Sequence, residues 1–455
     1  MTQAATALQS LDLTELATRL ASGRITSVQL VEEALAAIEA PGGEGGSCFI
    51  QVFADRSRAE AAQADAQRKA GQLLPVLAGI PISLKDLFDE AGVTTLGGSR
   101  VMVGEPAATQ DSPVVTRLRE AGAILVGRTN MVEFAYSGLG VNPHYGTPRS
   151  VFDRATGRIP GGSTSGGAIS VADGMAAAAI GSDTGGSLRI PAALNGLVGF
   201  KPTQRRIPLD HVMPLATSFD SAGAIGRTVR DCALVDAVLA GETPGDFQSL
   251  PLSALRLAVP RAYFLDDLSA DVAQAFERAL SRLSAAGATI VELEMPEFLQ
   301  TPDINPRGMV TAVEAYTFHR GLIERKAGLY DPRVLGRIRT GAPVLAADYA
   351  HQLNLRRAYI ASVNRAAAGF DAMLMPTTPD TAPTIAEVTA SDEAYYRFNG
   401  RMLRNPSAVN TFDGCALSVP CHEAGKAPVG LMIAGCAGTD AHILAVGSAI
   451  ESVVA

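Results

Sequence analysis

The sequence has no Cys-x-x-Cys pair, no His-Glu-x-x-His run, no Lys/Arg-rich segment and no apolar stretch near membrane-spanning length. Each absence removes a class of function. The five cysteines, Cys48, Cys232, Cys415, Cys421 and Cys436, are odd in number and widely dispersed. They therefore form neither a disulfide framework nor a zinc site, and they read as reduced, mostly buried thiols of a cytoplasmic protein. The six histidines (144, 211, 319, 351, 422 and 442) fall in no catalytic pattern. A net charge of −8 and a pI near 5.4 lack the electrostatic footprint of a nucleic-acid binder. An RNA-linked substrate presented by a partner protein is still compatible with that charge. The opening MTQAATALQSLDLTELA has no basic start and no apolar core, so no signal peptide is expected. The longest apolar stretches, such as that around Met175–Ile180, are alanine-rich and far too short to span a bilayer, so no membrane partner is expected.

What is present is a chain of 455 residues, 47% hydrophobic and 18% charged, which is long enough for a sizeable core. Residues 11–39 read as two helical segments, with Thr26 or Ser27 as the N-cap of the second. Short apolar runs are expected as strands at Val76–Leu84, Ala123–Val126, Leu255–Val259, Thr289–Leu293, Ala372–Met375, Ala416–Val419 and Val429–Ile433. Helical periodicity occupies 55–70, 111–121, 229–240, 269–286, 349–367 and 439–454. Near-continuous apolar strands interleaved with amphipathic helices predict an α/β fold with a mixed, largely parallel sheet covered on both faces. The stretch 300–400 has helical periodicity and few strand signals. Its arginines (307, 320, 325, 333, 337 and 339) read as a solvated helical surface rather than an anion site.

The informative region is 157–203. Two turns dense in glycine and hydroxyl residues, Gly161–Gly167 and Gly181–Ser187, flank an alanine-rich segment that reads as helical. Neither turn is followed by the Lys of a phosphate-binding loop, and neither gives a dinucleotide fingerprint. Neither serine sits in the G-x-S-x-G elbow of an α/β-hydrolase. A serine nucleophile here would thus need a base other than histidine. Lysine can serve if burial disfavours its ammonium form. Lys85 directly follows the apolar run Leu77–Leu84, although such a lysine on its own reads as a strand-end surface charge.

The segment from about 75 to 230 resembles the amidase signature family, and the likeness extends more weakly over the whole chain. It rests on the glycine–serine block, the SLKDLFD stretch, the 24-position separation of Ser163 and Ser187, PTTP at 376–379, ALSVP at 416–420 and PVGLMIAG at 428–435. The resemblance implies one large domain over 1–455, with a catalytic core at about 75–240 and a helical, substrate-shaping excursion at about 300–400. It also implies a Ser–cis-Ser–Lys triad. Ser187 would be the nucleophile, Ser163 the bridging serine after a cis peptide, and Lys85 the base, neutral at rest. The backbone N–H groups of Thr184, Gly185, Gly186 and Ser187 would form the oxyanion hole. Asp183 and Arg189 would hold this turn by hydrogen bonds. Tyr136, Thr164 and His319 are candidates for the substrate pocket. Thr164 departs from the serine common at that position but keeps the hydroxyl.

The implied activity is hydrolysis of a small-molecule carboxamide to a carboxylate and ammonia or an amine, through an acyl-enzyme on Ser187. No cofactor or metal is called for. An alternative within the family is the glutaminase component of a tRNA-dependent amidotransferase. Those components usually continue Lys-Pro-Thr with Tyr-Gly-Arg, whereas Lys201-Pro202-Thr203 is followed here by Gln204-Arg205-Arg206. A non-catalytic binding scaffold is the third reading, and all three triad positions speak against it. A homodimer is compatible with the sequence, which does not name the amide.

Overall fold

The structure is a computed structural model that describes residues 5–245 and 249–454. Its centre is one eleven-stranded sheet. The strands are β1 (Phe49–Val52), β2 (Pro81–Lys85), β3 (Ile124–Thr129), β4 (Ala178–Asp183), β5 (Val198–Lys201), β6 (Ser221–Gly226), β7 (Arg256–Pro260), β8 (Thr289–Leu293), β9 (Ala372–Pro376), β10 (Cys415–Pro420) and β11 (Gly430–Gly435). Their order across the sheet is β1-β3-β2-β4-β6-β5-β10-β11-β9-β7-β8. β2 pairs in parallel with β3 and β4, and β7 with β8 and β9. The remaining pairings are antiparallel, including the whole central block β4-β6-β5-β10-β11-β9. The sheet is therefore mixed as expected, but not largely parallel.

In the central strands side chains alternate between two buried layers, which is the period-2 geometry of a sheet covered on both faces. Leu417, Val419, Leu431, Ile433 and Leu374 join one layer, together with Val229, Cys232 and Ile443 of the helices Val229–Ala240 and Asp440–Val454. Their neighbours Ala416, Met432, Ala434, Met373 and Met375 pack on the other face with Ala408 and Val409. On that second face β4 meets the helices Ser165–Ala172 and Arg189–Leu194 through Ala179, Ala168, Leu188 and Ala192.

The sequence-predicted helices form close to their expected bounds. Ala54–Lys69, Pro113–Glu120, Ala270–Ala285 and Ala346–Ala366 are helical. Thr26 caps Ser27–Glu39 by accepting the Gln29 N–H at 3.1 Å. Four strands escaped the sequence reading: β1, β4, β5 and β6. The alanine-rich segment read as one helix is in fact a helix to Ala172, a turn at Gly174 and then β4. The helix Ser165–Ala172 lies so close to β4 that only small residues fit between them. A Cβ on Gly181 would stand 2.6 Å from Thr164. No described helix is long and apolar enough to cross a membrane.

Candidate active site

Burial and parity place the lysine. Ser83 and Lys85 are on one side of β2, facing the helix Ser165–Ala172. Ser83 Oγ lies 2.8 Å from Ser170 Oγ, and Lys85 Nζ donates to Ser163 Oγ at 2.7 Å. Lys85 is fully buried rather than a surface charge at a strand end. Its second acceptor is Ser182 Oγ at 2.9 Å, a contact the sequence reading missed. Ser182 could have been noticed, because it belongs to the same hydroxyl-rich turn as Ser187. Burial pulls the Lys85 ammonium down from 10.5 to about 7, against the opposing field of Asp183 and Asp220.

The Gly162–Ser163 peptide is cis. Ser163 is fully buried, its carbonyl accepts the Val132 N–H at 3.1 Å, and the next residue ties the two turns together. The Thr164 N–H donates to the Ser187 carbonyl at 3.3 Å. Ser187 follows Gly186, whose φ of +128° is a conformation that favours glycine. Any Cβ there would also meet Pro406 at 2.7 Å. The side chain of Ser187 lines a cavity of about 580 Å³ together with Thr184, Gly185, Tyr136 and Ser137.

The turn that carries Ser187 is built on a buried charge pair. Asp183 Oδ1 accepts the Gly186 N–H at 2.8 Å and Oδ2 accepts the Leu188 N–H at 3.1 Å. Arg189 donates to the same carboxylate through Nε at 3.1 Å and Nη2 at 2.9 Å, and Asn410 Nδ2 adds a bond at 2.9 Å. Burial works against this carboxylate, yet the Arg189 guanidinium holds it well below the usual range. The Gly186 N–H is thus committed to Asp183. Among the described residues the N–H groups of Gly185 and Ser187 have no such acceptor. Thr184 donates its hydroxyl to Asp220 Oδ1 at 2.5 Å. Burial pushes Asp220 up to about 6.

Of the three pocket candidates, only Tyr136 lines the cavity beside Ser187. Thr164 is fully buried between the turns. His319 is buried edge-on against Phe134 at 4.3 Å, with Nδ1 3.0 Å from the Tyr330 hydroxyl. Desolvation lowers this imidazole to about 4, so it is neutral at pH 7. Two arginines of the stretch expected as a solvated surface line the Ser187 cavity, Arg307 while exposed to solvent and Arg337 half-buried, along with Asn305, Tyr396 and Asn399.

Fold and site together define a serine amidohydrolase. The family profile described as Amidase matches residues 29–444, and the chain belongs to the amidase signature family. It is 36% identical over 402 residues to a 2-amino-5-chloromuconic acid deaminase of Comamonas testosteroni, covering 88% of this chain and 87% of that one. It is 34% identical over 495 residues to a glutamyl-tRNA(Gln) amidotransferase component, the A subunit, of Anaeromyxobacter dehalogenans, covering 99% and 98% respectively. A crystal structure of an amidase superposes with a TM-score of 0.88 at 31% identity, covering 98% of this chain and all of the other.

Proposed function

We propose that the protein hydrolyses a small-molecule carboxamide through an acyl-enzyme on Ser187, with Ser163 and Lys85 as its proton relay. The observation that carries this reading is the buried Lys85–Ser163 hydrogen bond of 2.7 Å beside a cavity that Ser187 lines. A hydroxyl is a poor nucleophile until a positioned base takes its proton. Ser163 accepts the Ser187 proton as it passes its own to neutral Lys85, because a hydroxyl both donates and accepts. Ser187 Oγ bonds to the amide carbon, and the oxyanion takes the N–H groups of Gly185 and Ser187. The proton returns through Ser163 to the leaving nitrogen and the C–N bond breaks. Water then repeats the path and releases the carboxylate. The helical stretch at about 300–400 shapes the substrate cavity in this reading, through Arg307 and Arg337.

The test is an ammonia-release screen of the isolated chain over aliphatic, aromatic, ureido and glutamine amides, run beside Ser187→Ala. Hydrolysis by the wild type and none by the variant supports the mechanism, whereas retained hydrolysis in Ser187→Ala overturns it. The amidotransferase relatives support a second reading, that of a glutaminase component. Glutamine turnover that appears only with an added partner protein would favour that reading.

A further inference from the structure

The Ser187 cavity has an unbalanced charge. Among its lining residues the ionisable charges are the guanidinium groups of Arg307 and Arg337, and no Asp or Glu lines it. This is notable in a chain of net charge −8. Two other arginines near this cavity have carboxylate partners. Arg333 pairs with Asp392 at 2.7 Å, and Arg401 pairs with both Asp380 and Asp267. Among the described residues, neither Arg307 nor Arg337 has a carboxylate within salt-bridge reach.

Arg337 is nevertheless held in place, whereas Arg307 reaches the cavity from an exposed turn. Arg337, on the helix Pro332–Arg339, is half-buried, donates to the Tyr136 carbonyl and lies 4.0 Å over the Tyr136 ring. Tyr136 is no counter-ion, because burial pushes its phenol up and keeps it neutral. Arg307 sits at φ +51° in the short turn Pro306–Gly308, beside Asn305, whose side chain accepts the Val310 N–H at 2.9 Å. The half-buried Arg337 guanidinium, set beside the aromatic rings of Tyr136 and Tyr396 without a counter-ion, gives up part of its hydration, which an arriving anion restores. Its planar fork matches a carboxylate in particular.

We infer that the substrate bears a carboxylate, received by Arg337 with Arg307, so that these two residues determine specificity. This deepens the amidase reading and rests on it. For a primary amide the leaving group is ammonia, so the carboxylate sits on the acyl part. The substrate class is then the monoamide of a dicarboxylic acid.

The experiment compares short dicarboxylic acid monoamides with their methyl esters, reading ammonia release for wild type, Arg337→Met, Arg307→Met and Arg337→Lys. Wild type should favour the free acids by about 10- to 100-fold in kcat/KM, as expected for charge-assisted hydrogen bonds. Arg337→Met should lose that preference mainly through a raised KM for the free acids, with Arg337→Lys between the two. Equal turnover of acids and esters by wild type, or an equal loss on both in Arg337→Met, overturns the inference. If wild type cleaves neither series but releases ammonia from other amides of the broader screen, the inference is overturned. If it cleaves no amide in that screen, the amidase reading fails, and the anion site is then judged by calorimetry with succinate, glutarate and adipate. Binding that is lost in Arg337→Met supports the site, and no binding to wild type overturns it.

Discussion

Lys85 Nζ stands 2.7 Å from Ser163 Oγ with both side chains fully buried, so the base of the proposed relay is held out of water. Desolvation is the largest influence on this ammonium and brings it down to about 7, while Asp183 and Asp220 act to raise it. A base must be neutral to accept a proton. The kcat/KM profile should therefore rise with pH through an apparent pKa of about 7. Asp220→Asn removes one of the two charges that favour the ammonium, so its acidic limb should lie at lower pH than that of wild type. Asp220 itself titrates near 6, so the shift belongs to the range in which it is ionised. Profiles of the two proteins on one amide substrate decide the matter. A limb that stays in place in Asp220→Asn contradicts the electrostatic account. The same group affects stability. Unfolded Lys85 keeps its proton up to 10.5, so unfolding takes up a proton between about 7 and 10.5, and stability rises with pH across that window.

Lys85 reaches two hydroxyls, and their locations give them unequal weight. Ser163 precedes the residue whose N–H ties its turn to the Ser187 carbonyl, whereas Ser182 also borders a separate cavity of about 390 Å³ with Asp220 and Ser221. Ser163→Ala should cut kcat by about 100- to 10,000-fold, the usual scale of general acid–base assistance. Ser182→Ala removes one acceptor from the ammonium and should cost about 2- to 12-fold, the worth of one ordinary hydrogen bond. Steady-state kinetics on both, with unfolding curves to establish native stability, provide the check. A Ser182→Ala loss equal to that of Ser163→Ala would move the relay to Ser182.

The parts of the molecule that were legible in the sequence are those with strong local signals. Val229–Ala240 and Ala270–Ala285 follow from apolar periodicity, and the Ser163/Ser187 pair follows from two turns of unusual composition. What was hidden depended on tertiary packing. Residues such as Ala178, Ala179 and Gly181 read as helical or as loop, yet β4 uses them because helices press on it closely. The antiparallel centre went unread for the same reason: β5 and β6 carry glycines where another backbone comes within van der Waals contact. Lys85 looked like a surface charge because periodicity cannot tell a strand end inside the protein from one outside. Arg337 is hidden among arginines that face solvent or pair with carboxylates, and only the fold separates it from them.

Asp183 and Arg189 form the support under Ser187, and both are fully buried. Removing one partner of such a pair leaves a charge without compensation and costs about 3–5 kcal/mol. Arg189→Met should lower the unfolding free energy by that amount at neutral pH, as read from urea titrations. The loss should shrink toward acid. In wild type Asp183 is held below its unfolded 3.8, so its contribution is present above that value and is lost only as pH falls through the lower folded one. In the variant, burial acts on the carboxylate without the guanidinium, so its folded pKa rises above 3.8 and acid restores stability. Adding Asp183→Asn to Arg189→Met removes the stranded charge and should recover part of the loss. The double-variant cost should then fall well short of the sum of the single costs. Additive costs, or a loss in Arg189→Met that does not vary with pH, would mean that the pair acts by packing rather than by charge.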